Sequence, residues 1–277
     1  PRSESCTHPT PDCIGMGCAP TRRGKSPLKV MQLFERESST YTYLVASNGE
    51  CILIDPVDVT YERDLKIIEQ CGYKLKYCIN THVHADHITG SGLIKQKLPE
   101  VKSVISKNSL AKADKMVDNG DVIQVGKEIL QVRATPGHTN GCISLVLNPS
   151  DPHCVFTGDA LLIGGCGRTD FQQGDPAVLY ESVKTQILSL PSETLIYPGH
   201  DYQGRTCSTV EEENKYNPRL TLPKKEFVEF MNKRFDGSNY PGRIDEALPA
   251  NMACGFPENV EEAVEKKETA EEVRDEW

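Results

Sequence analysis

Five of the seven histidines in this 277-residue chain stand in short segments that each follow a β-prone run. Three belong to Thr81-His82-Val83-His84-Ala85-Asp86-His87, the fourth is His138 in Pro136-Gly137-His138-Thr139, and the fifth is His200 in Pro198-Gly199-His200-Asp201-Tyr202. Asp159 joins them in Thr157-Gly158-Asp159-Ala160, directly after the run Val155–Thr157. Imidazole nitrogens mixed with carboxylate oxygens suit zinc or iron, and a set without thiolate leaves the ion Lewis-acidic and open to substrate. A solitary histidine is more often a surface or core-satisfying residue, and His8 and His153, outside any such segment, are read that way. Five in strand-end loops read instead as one metal site, because such loops let a rigid scaffold aim several ligands at a point.

The elements that would have to aim them are visible in the hydropathy pattern. Short β-prone runs occupy Val30–Phe34, Tyr41–Ala46 and Cys51–Ile54, and Asn48-Gly49 between the last two signals a two-residue hairpin. Tyr61–Gln70 reads as a helix that Gly72 stops, Leu75–Ile79 as the strand feeding the first histidine cluster, and Gly92–Lys97 as a helix. Further strands are predicted at Val104–Ser106, Val122–Val125, Ile129–Ala134, Ile143–Leu147, Val155–Thr157 and Thr194–Tyr197. Pro176–Leu190 has the apolar spacing of one amphipathic helix, and Thr209–Tyr216 and Lys224–Phe235 also read as helices. Strands in clusters separated by helices imply an α/β sandwich of two sheets with helices outside, not a doubly wound parallel sheet.

Bulk properties narrow the function. The net charge of −9 argues against nucleic acid as a partner, and no apolar run approaches the ~20 residues of a membrane span. Six of those nine negative charges sit between Glu258 and Trp277, so the rest of the chain is nearly neutral. Eleven cysteines without any CxxC pair, in a chain of this size, fit a reducing compartment. Residues 1–27 are basic, rich in Pro and Gly and without periodicity, and read as a flexible arm or the stub of a targeting segment. Residues 28–255 read as the catalytic domain and 256–277 as an acidic tail.

The order H-x-H-x-D-H, lone His, Asp, final His resembles the ligand series of the metallo-β-lactamase superfamily, whose fold is an αββα sandwich of two mixed sheets. Two glutathione-handling branches carry a Gly-Gly-Cys-Gly-Arg-like segment, here Gly164–Arg168. The stretches Thr157–Ile163, Gly165–Gly174, Tyr197–Gly204, Ser208–Glu213, Asn217–Leu222 and Pro249-Ala-Asn-Met252 resemble the persulfide dioxygenases, also called sulfur dioxygenases. Glyoxalase II, the hydroxyacylglutathione hydrolase branch with a two-metal site, typically has Gly-His-Glu-Tyr where this chain has Gly199-His-Asp-Tyr202.

The dioxygenase resemblance implies one Fe(II) per chain, held by His82, His138 and Asp159, and oxidation of glutathione persulfide by O2 to sulfite and glutathione. It assigns catalytic support to His84, Asp86, His87 and His200, which orient ligands and waters without holding a second metal. All seven positions are intact, so a two-metal glyoxalase II-type site stays open on the sequence. Glutathione carries two carboxylates, for which Arg168 and Arg219 are the candidate anchors, with Tyr202 adding a hydroxyl. Cys166 is read either as facing the pocket or as filling a turn among glycines. The resemblance further implies a mitochondrial matrix enzyme and a homodimer.

Overall fold

Alternation along the first strands sets the layering of the molecule. In Tyr41–Ser47 every residue is buried, with Tyr43 and Val45 joining one apolar cluster while Leu44 and Ala46 join another. A strand buried on both faces has to lie between two layers. The computed structural model describes residues 28–237 and 241–256, so the predicted arm over 1–27 and the tail from 257 onward lie outside the described residues.

Among the described residues, twelve strands form two six-stranded mixed sheets. The first contains β1 (Lys29–Phe34), β2 (Tyr41–Ser47), β3 (Glu50–Ile54), β4 (Lys74–Ile79), β5 (Lys102–Ser106) and β6 (Lys115–Val117), in that spatial order. It is antiparallel from β1 to β3 and parallel from β3 to β6. The second contains β7 (Val122–Val125), β8 (Glu128–Ala134), β9 (Ile143–Leu147), β10 (Cys154–Gly158), β11 (Leu195–Pro198) and β12 (Ser208–Thr209), again in sequence order across the sheet. Only β10 and β11 pair in parallel there.

Between the sheets lies a core in which Tyr43, Ile52, Ile54 and Ile79 meet Leu130, Leu145, Leu147 and Phe156. Helices α1 (Tyr61–Cys71) and α2 (Ser91–Lys97) cover the outer face of the first sheet through Ile68 and Ile94. Helices α3 (Pro176–Ser182), α4 (Val210–Tyr216) and α5 (Lys224–Arg234) cover the second through Leu179, Val210, Phe227 and Met231. Each such side chain taken fully out of water contributes about 1.5–3 kcal/mol. The αββα sandwich expected from the sequence is the observed fold.

Most local expectations hold within a residue or two. Ser47 pairs with Glu50 across Asn48-Gly49, both with positive φ, and Gly72 ends α1 in the left-handed conformation. One expectation needs correction, and β6 and a further helix escaped the sequence reading. The single helix over Pro176–Leu190 is α3 followed by a π-helical turn, Val183–Ile187, in which Leu188 N–H donates to Val183 O. That wider turn keeps Val183, Ile187 and Leu188 together in the core, which uniform α-helical spacing does not. The short strand β6 has too few residues for a periodicity signal. Helix α6 (Ile244–Met252) holds Pro249 inside it, and a proline in that position reads as a break from sequence alone.

Candidate metal centre

The seven metal-type side chains singled out in the sequence sit at the rim where strands of both sheets end. Asp55 directly follows β3, with a φ of 50°, and the loop 81–90 follows β4. Asp159 follows β10 and His200 follows β11, while His138 lies in the turn between β8 and β9. Asp55 shapes the first loop: its carboxylate accepts Thr81 N–H at 2.7 Å and Thr81 Oγ1 at 2.9 Å, and pairs with His84 Nε2 at 3.1 Å. Asn251 of α6 closes the same loop from the other side, donating to the carbonyls of His84 and His87 and accepting Thr89 N–H. Two glycines are sterically required. A Cβ on Gly158, whose φ is +51°, would lie 2.4 Å from Thr81 Oγ1, and one on Gly167 would lie 2.4 Å from the Asp159 carbonyl oxygen.

The seven predicted residues come together as two groups. His82, His138 and Asp159 form one, and His84, Asp86, His87 and His200 the other; within each, one ligand atom per residue lies within 4.8 Å of the rest. In the first group His82 Nδ1 faces Thr81 Oγ1 at 2.9 Å and His138 Nδ1 donates to Arg168 O at 2.6 Å, which leaves Nε2 of each ring as its remaining donor atom. His138 Nε2 stands 3.8 Å from Asp159 Oδ2, too far for a hydrogen bond. Rings tied at one nitrogen with the other unused are the usual arrangement around a metal.

The second group is knit by carboxylates. His200 Nδ1 meets Asp159 Oδ1 at 2.7 Å, and its Nε2 meets Asp86 Oδ2 at 2.9 Å. His87 Nδ1 meets Asp86 Oδ2 at 3.1 Å. His84 Nδ1 and His87 Nε2 are buried and have no hydrogen-bond partner among the described residues. Since buried polar atoms are normally satisfied, these orphans and the open Nε2–Asp159 gap fit a site built to take up a cation.

Electrostatics separate the two groups further. Burial, reinforced by the neighbouring His84 ring, drives the His82 imidazolium well below its ordinary 6.5, so the ring is a neutral donor. Burial would also lower His200, but Asp159 and Asp86 outweigh it and hold that ring well above its usual value. Burial likewise acts to raise the Asp159 carboxyl, and the His200, His82 and His138 rings pull it far down, leaving a carboxylate.

A cavity of about 410 Å³ opens over both groups. Its far wall carries four arginines, of which the sequence singled out Arg168 and Arg219 and missed Arg205 and Arg234. The Arg168 fork is taken by Asp170 through two 2.7 Å bonds, and its guanidinium lies 3.8 Å over the Phe171 ring. Arg168 is therefore a brace for the loop whose carbonyl orients His138, as well as a lining residue. Arg205 is held by Asp201, whose Oδ1 accepts from both Nε and Nη2. Arg219 donates to the Cys166 carbonyl at 2.8 Å and forms no ion pair among the described residues, so its remaining N–H groups are available to a ligand. Tyr202 is 71% exposed, its ring parallel to His200 with centroids 6.1 Å apart. Cys166 is a buried residue of the cavity lining whose sulfur lies 3.9 Å from both Met231 Sδ and Arg219 Nη1, and burial pushes its thiol up to about 11.

Thr40, Asp55 and Asn251 escaped the sequence reading. Asp55-Pro56 at a strand end was one available signal, and Pro249-Ala-Asn-Met252 carried a family resemblance without a role.

The profile of the metallo-beta-lactamase superfamily matches residues 36–200. The mitochondrial persulfide dioxygenase ETHE1 of Bos taurus is 53% identical over 233 residues, spanning 83% of this chain and 90% of the bovine one. The chain belongs to the persulfide dioxygenase family of that superfamily. The crystal structure of ETHE1 from Myxococcus xanthus, 44% identical, superposes with a TM-score of 0.78 over 82% of this chain and all of the bacterial one. A cytoplasmic hydroxyacylglutathione hydrolase of Arabidopsis thaliana is more distant from this member of the dioxygenase family, at 33% identity over 86% of this chain and 95% of the plant one. Among the described residues no helix is long and apolar enough to cross a membrane.

Proposed function

We propose that the protein oxidises glutathione persulfide with O2 at a single ferrous ion held by His82, His138 and Asp159. The observation that carries this reading is the separate grouping of two histidines and one carboxylate, beside a second group whose Asp86 is already paired with His200 and His87. Two imidazoles and a carboxylate are the donor set of non-haem iron oxygenases, and iron so held supplies electron transfer to O2, which Zn²⁺ cannot. The overall reaction consumes persulfide, O2 and water and gives glutathione, sulfite and two protons. The outer sulfur loses the four electrons that O2 takes up, and the sulfur–sulfur bond breaks.

The chain's own residues supply position and polarity. Thr81 and the Arg168 carbonyl hold the two imidazoles with Nε2 toward Asp159. His200 fixes the Asp159 carboxylate through Oδ1, leaving Oδ2 toward His138. Arg219 meets a carboxylate of the tripeptide, and the exposed Tyr202 hydroxyl borders the entry. Residues 28–255 act as the catalytic unit, and the mitochondrial matrix is its place of work.

A hydroxyacylglutathione hydrolase is the second reading, favoured by the two orphan nitrogens on His84 and His87, which a second ion would satisfy. Metal analysis combined with an oxygen electrode decides between them. The dioxygenase reading expects about one iron per chain and oxygen uptake on addition of glutathione persulfide, with sulfite accumulating in step. Two metals per chain, thioester hydrolysis and no oxygen uptake would install the hydrolase instead.

A further inference from the structure

A buried hydroxyl group lies behind the second histidine group, on the side away from the cavity. Thr40, directly before β2, has 0% exposure, and its Oγ1 meets three partners: His200 Nε2 at 2.9 Å, His87 Nδ1 at 3.2 Å and Ser38 Oγ at 2.6 Å. A threonine hydroxyl has one hydrogen to donate and two lone pairs to accept with, so three partners use its whole capacity. The direction of the bonds follows from the far end. Ser38 Oγ donates to Glu35 Oε2 at 2.5 Å, and that carboxylate also accepts the N–H groups of Glu37 and Ser38. A carboxylate can only accept, so Ser38 donates to it and Thr40 donates to Ser38. Both lone pairs of Thr40 then face the two imidazoles, each of which presents an N–H.

The backbone keeps the hydroxyl in that place. Glu35 N–H donates to Thr40 O, Tyr41 N–H donates to Gly199 O, and Asp201 N–H donates to Ser39 O. The turn between β1 and β2 is thus strapped to the chain on either side of His200. A ring in the cavity wall that can rotate would offer Asp159 either nitrogen or none. With Thr40 and Asp86 sharing Nε2, only Nδ1 remains for Asp159.

We propose that Thr40 is a positioning residue for catalysis: its hydroxyl, itself oriented by the chain Ser38–Glu35, fixes the ring orientations of His200 and His87, and through His200 the orientation of Asp159. The proposal rests on the reading of this site as catalytic. Removing a partner that orients metal-site groups lowers affinity or activity by about 10–100-fold.

The experiment uses the iron-loaded full chain. Thr40→Val keeps the shape and deletes the hydroxyl, while Thr40→Ser keeps the hydroxyl and deletes a methyl. Oxygen uptake with glutathione persulfide is expected to show kcat down by about tenfold or more in the valine variant, KM near that of the unsubstituted protein, and near-normal kcat in the serine variant. Equal loss in both variants would assign the effect to packing and overturn the proposal, as would full kcat in Thr40→Val. Ser38→Ala, on the half-buried end of the chain, guards against misfolding. It is expected to lower kcat several-fold without moving KM, and if Thr40→Val does not fold while Ser38→Ala retains full kcat, the proposal fails. An unsubstituted protein that takes up no oxygen would instead defeat the functional reading itself, a result separable from any of these.

Discussion

In the His82–His138–Asp159 group each imidazole is tied by one nitrogen to a neutral oxygen, whereas in the His84–Asp86–His87–His200 group the rings lean on carboxylates. The partner decides what the ring can do. His82 and His138, bonded through Nδ1 to a threonine hydroxyl and a backbone carbonyl, each keep Nε2 for a cation. His200, placed between Asp159 and Asp86, is held as an imidazolium and has no lone pair to give. On the proposed reading, the same residue type, a few ångströms apart, is a ligand in one group and a hydrogen-bonded prop in the other.

The largest effect expected from breaking this contrast is at the first group. Asp159→Ala or His138→Ala is predicted to lose most of the bound metal and about 100-fold or more of the activity, while His87→Ala keeps the metal stoichiometry. Elemental analysis of the three purified variants checks this, and a His87→Ala protein with half the metal of its parent would give the two groups equal rank. Asp55 supports both groups at once, through Thr81 for the first and directly to His84 for the second. Asp55→Asn is predicted to destabilise the fold by about 2–3 kcal/mol, because buried donors lose a charged acceptor. Denaturant unfolding measures it, and a change below roughly half a kilocalorie, the range of ordinary surface substitutions, contradicts the shared role.

The arginines of the cavity wall make a milder version of the same contrast. Arg219, with no acid partner among the described residues, is predicted to raise KM by about tenfold on replacement by alanine with metal content unchanged, the loss of one charge-assisted hydrogen bond. Arg168→Ala instead leaves Asp170 without its two bonds and is expected to lower the thermal midpoint as well as activity. If the two variants share one kinetic phenotype and one midpoint, the division into anchor and brace is wrong.

The smallest effect is the acid limb of stability. Burial would raise Glu35, Asp170 and Asp201, yet hydrogen bonds from Ser38, from Arg168 and from the Arg205 backbone respectively hold all three below their ordinary values of 4.5 and 3.8. A depressed carboxyl contributes stability that is fully present above its unfolded pKa and is lost as pH falls through the folded one. The thermal midpoint should thus stay level from pH 7 to about 5 and fall below about 4.5, with a shallower fall in Asp170→Asn. A midpoint that rises on acidification would reverse the sign and refute the assignment.

Much of this was determined by local sequence. The two-residue turn at Asn48-Gly49, the stop at Gly72, the strand-end placement of all five histidines and the doubly buried β-runs depend on short-range patterns, which survive without tertiary information. The two-sheet sandwich and the gathering of these seven metal-type residues at one rim were likewise legible, since their order along the chain is characteristic of the superfamily. What the second nitrogen of each ring does was not legible. It depends on residues far along the chain: Arg168 for His138, Asp55 for His84, Thr40 for His200 and Asn251 for the loop they share. Arg168 looked in sequence like a free cation, and only the fold shows its fork occupied by Asp170 and its carbonyl on a metal-type histidine. A sequence gives the inventory of donors and acceptors; which of them meet is set by packing two sheets face to face, because a hydrogen bond is decided within ångströms and chain order carries no such distances.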